Sequence, residues 1–395
     1  GGVPWNARAA PGQGFNVGPM QGPSMMMSNS FSDRRIIEVL AAPEKTHRRL
    51  VRTAKRVPEI LLDAGEHCVA ASAELYGSLA LDIDLQHLAP WKQDWASYYV
   101  NGRSDVDFVV DMQPRNKPAA VAERLLKKGP WKMVGQVQVH KFASTQFTLL
   151  GHFDEDSEEE ADPASPEKKD AEASKKCAPA EVYLDITCIE SPVHFKRFKR
   201  RQEAFRQVFS ETRKTVEGWF GAQGALAFDA YIHLLKAFAA KVLGNALTGF
   251  QATCIGLFAL QIGHFKLKPT HSIALSFFEG FLRFCMAFYG DHANWNYNFR
   301  HLAIDLSCGG RWLPRFSTSW RSELYFMAAE ECMGTRPDER VNVAHSLDPA
   351  RVCLETMQLL NRAFNGDHPG LQFGGIGGAG GATAVPAAAA APPTQ

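Results

Sequence analysis

A chain of 395 residues is long enough for two domains of ordinary size, and so for a cleft between them. With 45% hydrophobic and 22% charged residues it has the make-up of a soluble globular protein. Lys plus Arg (43) nearly equals Asp plus Glu (42), which excludes a general basic field as the means of attracting a nucleic acid; only a local patch could do so.

Residues 1–32 are rich in Gly, Pro, Met and Ser, hold no acidic residue and have Arg8 as their only basic one. A disordered leader is expected, with a processed mitochondrial presequence as the alternative. Residues 33–64 have a helical period and form a lead-in expected to pack on the helical domain. From 65 to 215 strands mix with helices: "AELYGSLAL", "VDFVVDM", a helix over 117–128, "QVQVHKF", "TQFTLLGHF" and "EVYLDITCI". The last two flank residues 154–180, an acidic block followed by a lysine block with almost no large apolar side chain. That segment reads as a flexible surface insertion joining neighbouring strands of one sheet. From 195 to 364 nearly everything has helical length and period, with Gly- or Pro-marked breaks near 221, 244, 269, 290 and 337. A domain boundary at 215/216 separates a mixed-sheet unit from a helical one spanning 216–364, and 365–395 is a low-complexity tail expected to be disordered. The fold class is α+β, with an active site in the cleft between the two units.

Eight cysteines stand singly, without a C-x-x-C pair or a Cys/His cluster at zinc spacing, so a structural zinc is not expected. Free cysteines in apolar runs suit a reducing compartment. The longest apolar stretch, near 252–263, is broken by Gly256 and Gln261 and falls short of a bilayer span. An intracellular, soluble protein follows, with mitochondrion and cytoplasm both open.

Two Asp-x-Asp pairs compete for the chemistry. On a strand, residues i and i+2 share a face, so in "GRSDVDFVVDM" Asp105 and Asp107 aim both carboxylates one way while Val106 and Phe108 face the core. Two carboxylates so placed repel each other, and a divalent cation resolves the repulsion. Asp185 in "VYLDITC" is flanked as a third carboxylate on a neighbouring strand should be. Two metal ions held there would activate an attacking hydroxyl and steady a leaving pyrophosphate. Upstream, "LYGS" puts Gly77 and Ser78 at a strand end, where backbone amides and a hydroxyl can approach a phosphate. The other pair, Asp82 and Asp84, follows Gly77 too closely and reads as the start of an insertion over about 82–101. A solvated strand edge without chemistry is the plain alternative for Asp105 and Asp107.

"LYGS", "SDVDFVV" and "YLDIT", in that order, resemble the signature of the DNA polymerase β-like nucleotidyltransferase superfamily. The helical half, "HLLKAFAAKVLGNALTGFQATCIGLFALQ" and "RPDERVNVAHSLDPARVCLETMQLLNRAF", is similar to the central domain of noncanonical poly(A) polymerases and terminal uridylyltransferases. The resemblance covers about 65–364 and implies template-independent transfer of ribonucleotides from an NTP to an RNA 3′ end, with two Mg²⁺ or Mn²⁺ ions on Asp105, Asp107 and Asp185. It implies that Lys236 contacts the triphosphate, Thr248 a phosphate, and Phe250 the face of the base. The family's second lysine, four residues after the first, is here Ala240, and Lys241 lies one further, about 140° around an α-helix. In the closing motif, Asp338, Val341 and Asn342 stand where the family reads the base. Val341 replaces a histidine of one uridylyltransferase branch and leaves room for a purine, which leans towards ATP. Asp338 matches an acidic position that other uridylyltransferases use to read uracil, which keeps UTP as the alternative.

The segment "HFKRFKRRQEAFR" places Lys196, Arg197, Lys199, Arg200, Arg201 and Arg206 over little more than three helical turns, enough charge to neutralise an RNA backbone. A solvated helix face is the competing reading. No RNA-recognition module is visible, so a protein partner could choose the RNA. An oligonucleotide-messenger synthase and an inactive RNA-binding scaffold complete the alternatives.

Overall fold

The computed structural model describes residues 33–41, 44–63, 68–85, 105–113, 116–140, 144–153, 180–286, 302–306, 310–314, 326–327 and 348–364. The expected leader and tail, the charged segment after Phe153, and Asp338, Val341 and Asn342 lie outside them.

Five strands, β1 (Ala70–Tyr76), β2 (Asp105–Met112), β3 (Trp131–His140), β4 (Ser144–Phe153) and β5 (Ala180–Ile189), form one mixed sheet in the order β1-β2-β5-β4-β3. β2 and β5 run parallel, and every other pairing is antiparallel. The period of two is plain in β2, where Val106, Phe108, Val110 and Met112 are buried while Asp105, Asp107 and Asp111 are half-buried on the opposite face. β4 and β5 pair as expected of neighbouring strands, with Phe153 opposite Ala180, so the charged segment departs and returns at one end of the sheet.

The lead-in divides between the two units, which corrects the expectation that it packs on the helical one. Helix α1 (33–40) sends Ile36, Ile37 and Leu40 into the helical core. Helix α2 (Glu44–Leu61) lays Leu50, Ala54, Val57 and Leu61 on the back of the sheet, beside Val121 and Leu125 of α4 (Pro118–Lys128). That stripe recurs every three to four residues, so one face of α2 must be covered, and the even-numbered side chains of β2 and β5 cover it.

Helix α3 (Gly77–Leu85) follows β1 without a linker, so Asp82 and Asp84 continue this helix instead of opening an insertion. The cause is Gly77, whose φ of +73° turns the chain from strand to helix in one residue. Helix α5 (Pro192–Phe220) then runs 29 residues, through the expected boundary at 215/216, and physically joins the two units.

In the helical unit α6 (Ala222–Phe238) is buried almost all round, enclosed by α5, α7 (Gly249–Gln261) and α8 (Ile273–Met286). Gly256 allows the α6–α7 crossing to be close: a β-carbon there would collide with Leu235, and Tyr231 donates to the Gly256 carbonyl at 3.1 Å. Arg213 of α5 grips Asp229 of α6 with two bonds of 3.1 and 3.2 Å, both side chains being 2% exposed. Helix α9 (Pro349–Ala363) packs on α8. The nearly all-helical reading of this half missed a small sheet of β6 (Leu302–Asp305), β7 (Arg311–Pro314) and β8 (Phe326–Met327). Strands of two to four residues are too short to show a period, and Ile304 joins the core only through tertiary packing. Among the described residues no helix is long and apolar enough to cross a membrane. Cys188, Cys254, Cys285 and Cys353 are free and buried, and loss of water around each pushes its thiol pKa up.

Candidate active site

Parallel pairing of β2 with β5 puts Asp107 and Asp185 directly side by side, with Asp105 opposite Tyr183 one step along the same face. Carboxylate oxygens of Asp105, Asp107 and Asp185 all lie within 4.8 Å of one another, in half-buried positions. Three hard oxygen donors converging at that spacing suit Mg²⁺ or Mn²⁺ and leave coordination positions for a substrate. The surroundings fit such an ion. Tyr76, cross-strand from Asp107, is held high in pKa by burial and then by the charges of Asp107, Asp185 and Asp105, so it stays a neutral phenol beneath them.

Gly77 has a second duty here. A β-carbon on it would strike the Asp107 carboxylate, so the residue that turns β1 into α3 also makes the space in which Asp107 sits. One position on, Ser78 Oγ accepts a 2.6 Å hydrogen bond from Nζ of Lys236 on α6. This bond crosses from the sheet unit to the helical unit, and it brings a hydroxyl and a cation to the edge of the carboxylate cluster. Both groups suit phosphate oxygens.

Beyond Lys236 the helix widens into a π turn (Ala239–Leu243) and a 3₁₀ turn (Gly244–Ala246) before α7 begins. A π turn closes over five residues, so Lys241 comes nearer the Lys236 face than in a continuous α-helix. Thr248 is the N-cap of α7: its hydroxyl accepts from the Gln251 backbone N–H at 3.2 Å, and the Gln251 side-chain Oε1 accepts from the Thr248 backbone N–H at 3.0 Å. The hydroxyl proton of Thr248 therefore remains available to a phosphate. A β-carbon on Gly249 would stand 3.8 Å from Lys236 Cγ, which places the positive end of α7 beside that lysine. Phe250, 39% exposed, packs edge-to-face with Phe205 with centroids 4.8 Å apart.

The basic segment is less available than its sequence suggests. Lys199 pairs with Glu74 at 3.0 Å, and Arg206 donates to the Leu75 carbonyl at 2.8 Å, so both brace α5 against β1. Lys196, Arg197 and Arg200 are exposed, while Arg201 is half-buried with Nε on the Arg197 carbonyl.

Two residues of the site were not legible in the sequence. Thr148 of β4 stands opposite Asp185 and donates to its Oδ1 at 2.5 Å, orienting the third carboxylate. Phe205 backs Phe250. Thr148 sits in an alternating strand pattern, but only the register identifies its partner.

A mixed sheet thus carries three converging carboxylates, and a helical unit brings a lysine to the Gly-Ser turn beside them. Solved structures of a poly(U) polymerase and of an RNA terminal U-transferase share this fold. A structure of Cid1 poly(U) polymerase bound to MgGTP superposes with a TM-score of 0.51 at 12% identity, covering 88% of this chain and 97% of that one. Another Cid1 poly(U) polymerase structure gives 0.53 at 12% identity, covering 89% and 98%. A cytoplasmic RNA terminal U-transferase gives 0.50 at 12% identity, covering 88% and 97%. No family signature and no curated protein sequence matches the chain.

Proposed function

We propose that this chain is a template-independent nucleotidyltransferase that adds ribonucleotides from an NTP to the 3′ end of RNA. The observation that carries the reading is the convergence of Asp105, Asp107 and Asp185 within 4.8 Å beside the Ser78–Lys236 contact. Divalent cations bound by the three aspartates, two in the reading preferred here, would supply charge stabilisation for an in-line displacement. The chain's own groups do the rest. Asp185, oriented by Thr148, accepts the proton of the primer 3′-hydroxyl as that oxygen bonds to the α-phosphorus. The α–β bridging bond breaks, and pyrophosphate leaves against Ser78, Lys236, Thr248 and the first turn of α7. Lys241, shifted by the π turn, serves as the second phosphate cation. Phe250 stacks on the base without choosing it, and Arg197 and Arg200 meet the primer backbone.

Base choice falls to Asp338, Val341 and Asn342. Val341 favours ATP by leaving room for a purine, whereas the likeness to a poly(U) polymerase and a terminal U-transferase favours UTP. The test is primer extension on short single-stranded RNA with Mg²⁺ or Mn²⁺ and each NTP separately, wild type beside Asp105→Ala and Asp185→Ala. Extension by ATP or UTP that both variants abolish is the expected result and names the base. A wild type that extends with no NTP under any of these conditions leaves an RNA-binding scaffold as the better reading.

A further inference from the structure

We propose that the face formed by α2 and α4 is a second RNA contact, which carries the backbone of a bound strand away from the aspartates. This rests on the reading of RNA as primer. Residues 44–63 and 116–132 hold eleven Lys and Arg against four acidic residues, Glu44, Glu59, Asp63 and Glu123, leaving 32 basic and 38 acidic residues elsewhere. One region of a nearly neutral chain is therefore strongly positive, and the remainder is net negative.

Structure decides which of these charges face outward. Arg124 Nε donates to the Ile60 carbonyl at 3.3 Å, and Lys128 meets Asp63 at 3.0 Å, so these two fasten α4 to the negative end of α2. Arg52, Lys55 and Arg56 on α2, Lys117 and Lys127 flanking and ending α4, and Lys132 on β3 are exposed. A basic amphipathic helix can also signal a membrane surface, but the apolar face of α2 is already used: Leu50, Val57 and Leu61 are 0% exposed against the sheet.

The position of α2 suits a strand leaving the site. β1 is an edge strand, next to β2 with Asp105 and Asp107. α5 braces one side of β1 through Lys199–Glu74 and Arg206–Leu75, and α2 packs behind the same strand. Two basic helices thus flank one sheet edge, and an RNA whose 3′ end lies at the aspartates meets α5 first and α2 after rounding that edge.

The experiment is fluorescence anisotropy of end-labelled single-stranded RNAs of increasing length, without NTP, over a salt series. The full chain is compared with Arg52→Glu/Lys55→Glu/Arg56→Glu and with Arg52→Lys/Arg56→Lys. Each phosphate contact to a single strand contributes about 0.7 to the slope of log affinity against log salt. The triple variant is expected to bind long RNA about tenfold or more weakly and to lose about 2 from the slope. The lysine variant should keep the slope, and the loss should grow with RNA length, with melting temperatures establishing that both variants fold. An unchanged slope at every length overturns the proposal, as does equal competition by polyglutamate, which would make the face a site for acidic protein. Primer extension by the same preparations separates the outcomes: α2-dependent RNA binding without extension removes the enzyme reading alone, and extension with α2-independent binding removes this inference alone.

Discussion

At Asp185 a strand pattern and a neighbour's side chain divide the work. The aspartate's place on the sheet follows from alternation, but its rotamer is held by Thr148, 2.5 Å from Oδ1 on β4. Removing the hydroxyl should loosen this without removing charge, so Thr148→Val is expected to lower kcat about tenfold, in the range for outer-shell partners of metal ligands. KM for the NTP should hold, because Ser78 and Lys236 are untouched, and Thr148→Ser should restore turnover. A variant with normal kcat would reduce Thr148 to a strand-pairing role. Asp105, Asp107, Asp185, Gly77 and Ser78 are conspicuous in the sequence, since a period of two and a Gly-Ser turn mark them, whereas Lys236 is singled out only by the family resemblance of its helix. Thr148 and Phe205 are not, because each owes its place to a partner remote in the chain, 37 residues on for Thr148.

Among the elements, α5 and α6 hold the site in register. Lys236 reaches Ser78 only if α6 is fixed relative to the sheet, and α5 provides that link, bracing β1 at one end and gripping Asp229 with Arg213 at the other. Both members of that pair are buried, so removing Asp229 takes from the Arg213 guanidinium its two-bond partner. Asp229→Ala should cost about 3–5 kcal/mol in denaturant unfolding, whereas replacing both partners with Met and Leu should cost much less, as buried pairs generally behave. Equal losses in the two variants would show that packing around Asp229, not the charge, is what matters. The 29-residue span of α5 was legible as helical period. Its continuity across the expected domain boundary was not, since no Gly or Pro marks 215/216 and only the packing reveals a shared element.

For the whole molecule, α1 fastens the start of the described chain to the helical unit by one buried carboxyl. Asp33 is 1% exposed, and its Oδ1 accepts from the Ala274 amide at the start of α8. Burial outweighs that bond and the one from Ser272, raising its pKa from 3.8 to about 7. A carboxyl that holds its proton more tightly when folded contributes stability that is complete below about 3.8 and is lost as pH rises through about 7. Asp33→Asn keeps an acceptor without a titrating proton, so the wild-type melting temperature should fall relative to this variant between about pH 4 and 7. Parallel profiles would mean that the carboxyl titrates normally. The sequence alone determined the five strands of the mixed sheet, the inward face of β2, and the placing of Asp105, Asp107 and Asp185 on neighbouring strands, because these follow from periodicity and local residue chemistry. Tertiary structure alone decided that α2 covers the sheet, that Lys236 meets Ser78, that Lys199 and Arg206 are spent on β1, and that the exposed basic face lies on α2 and α4. Those outcomes depend on which surfaces are brought together, and a chain's local pattern shows what each segment must bury without naming what buries it.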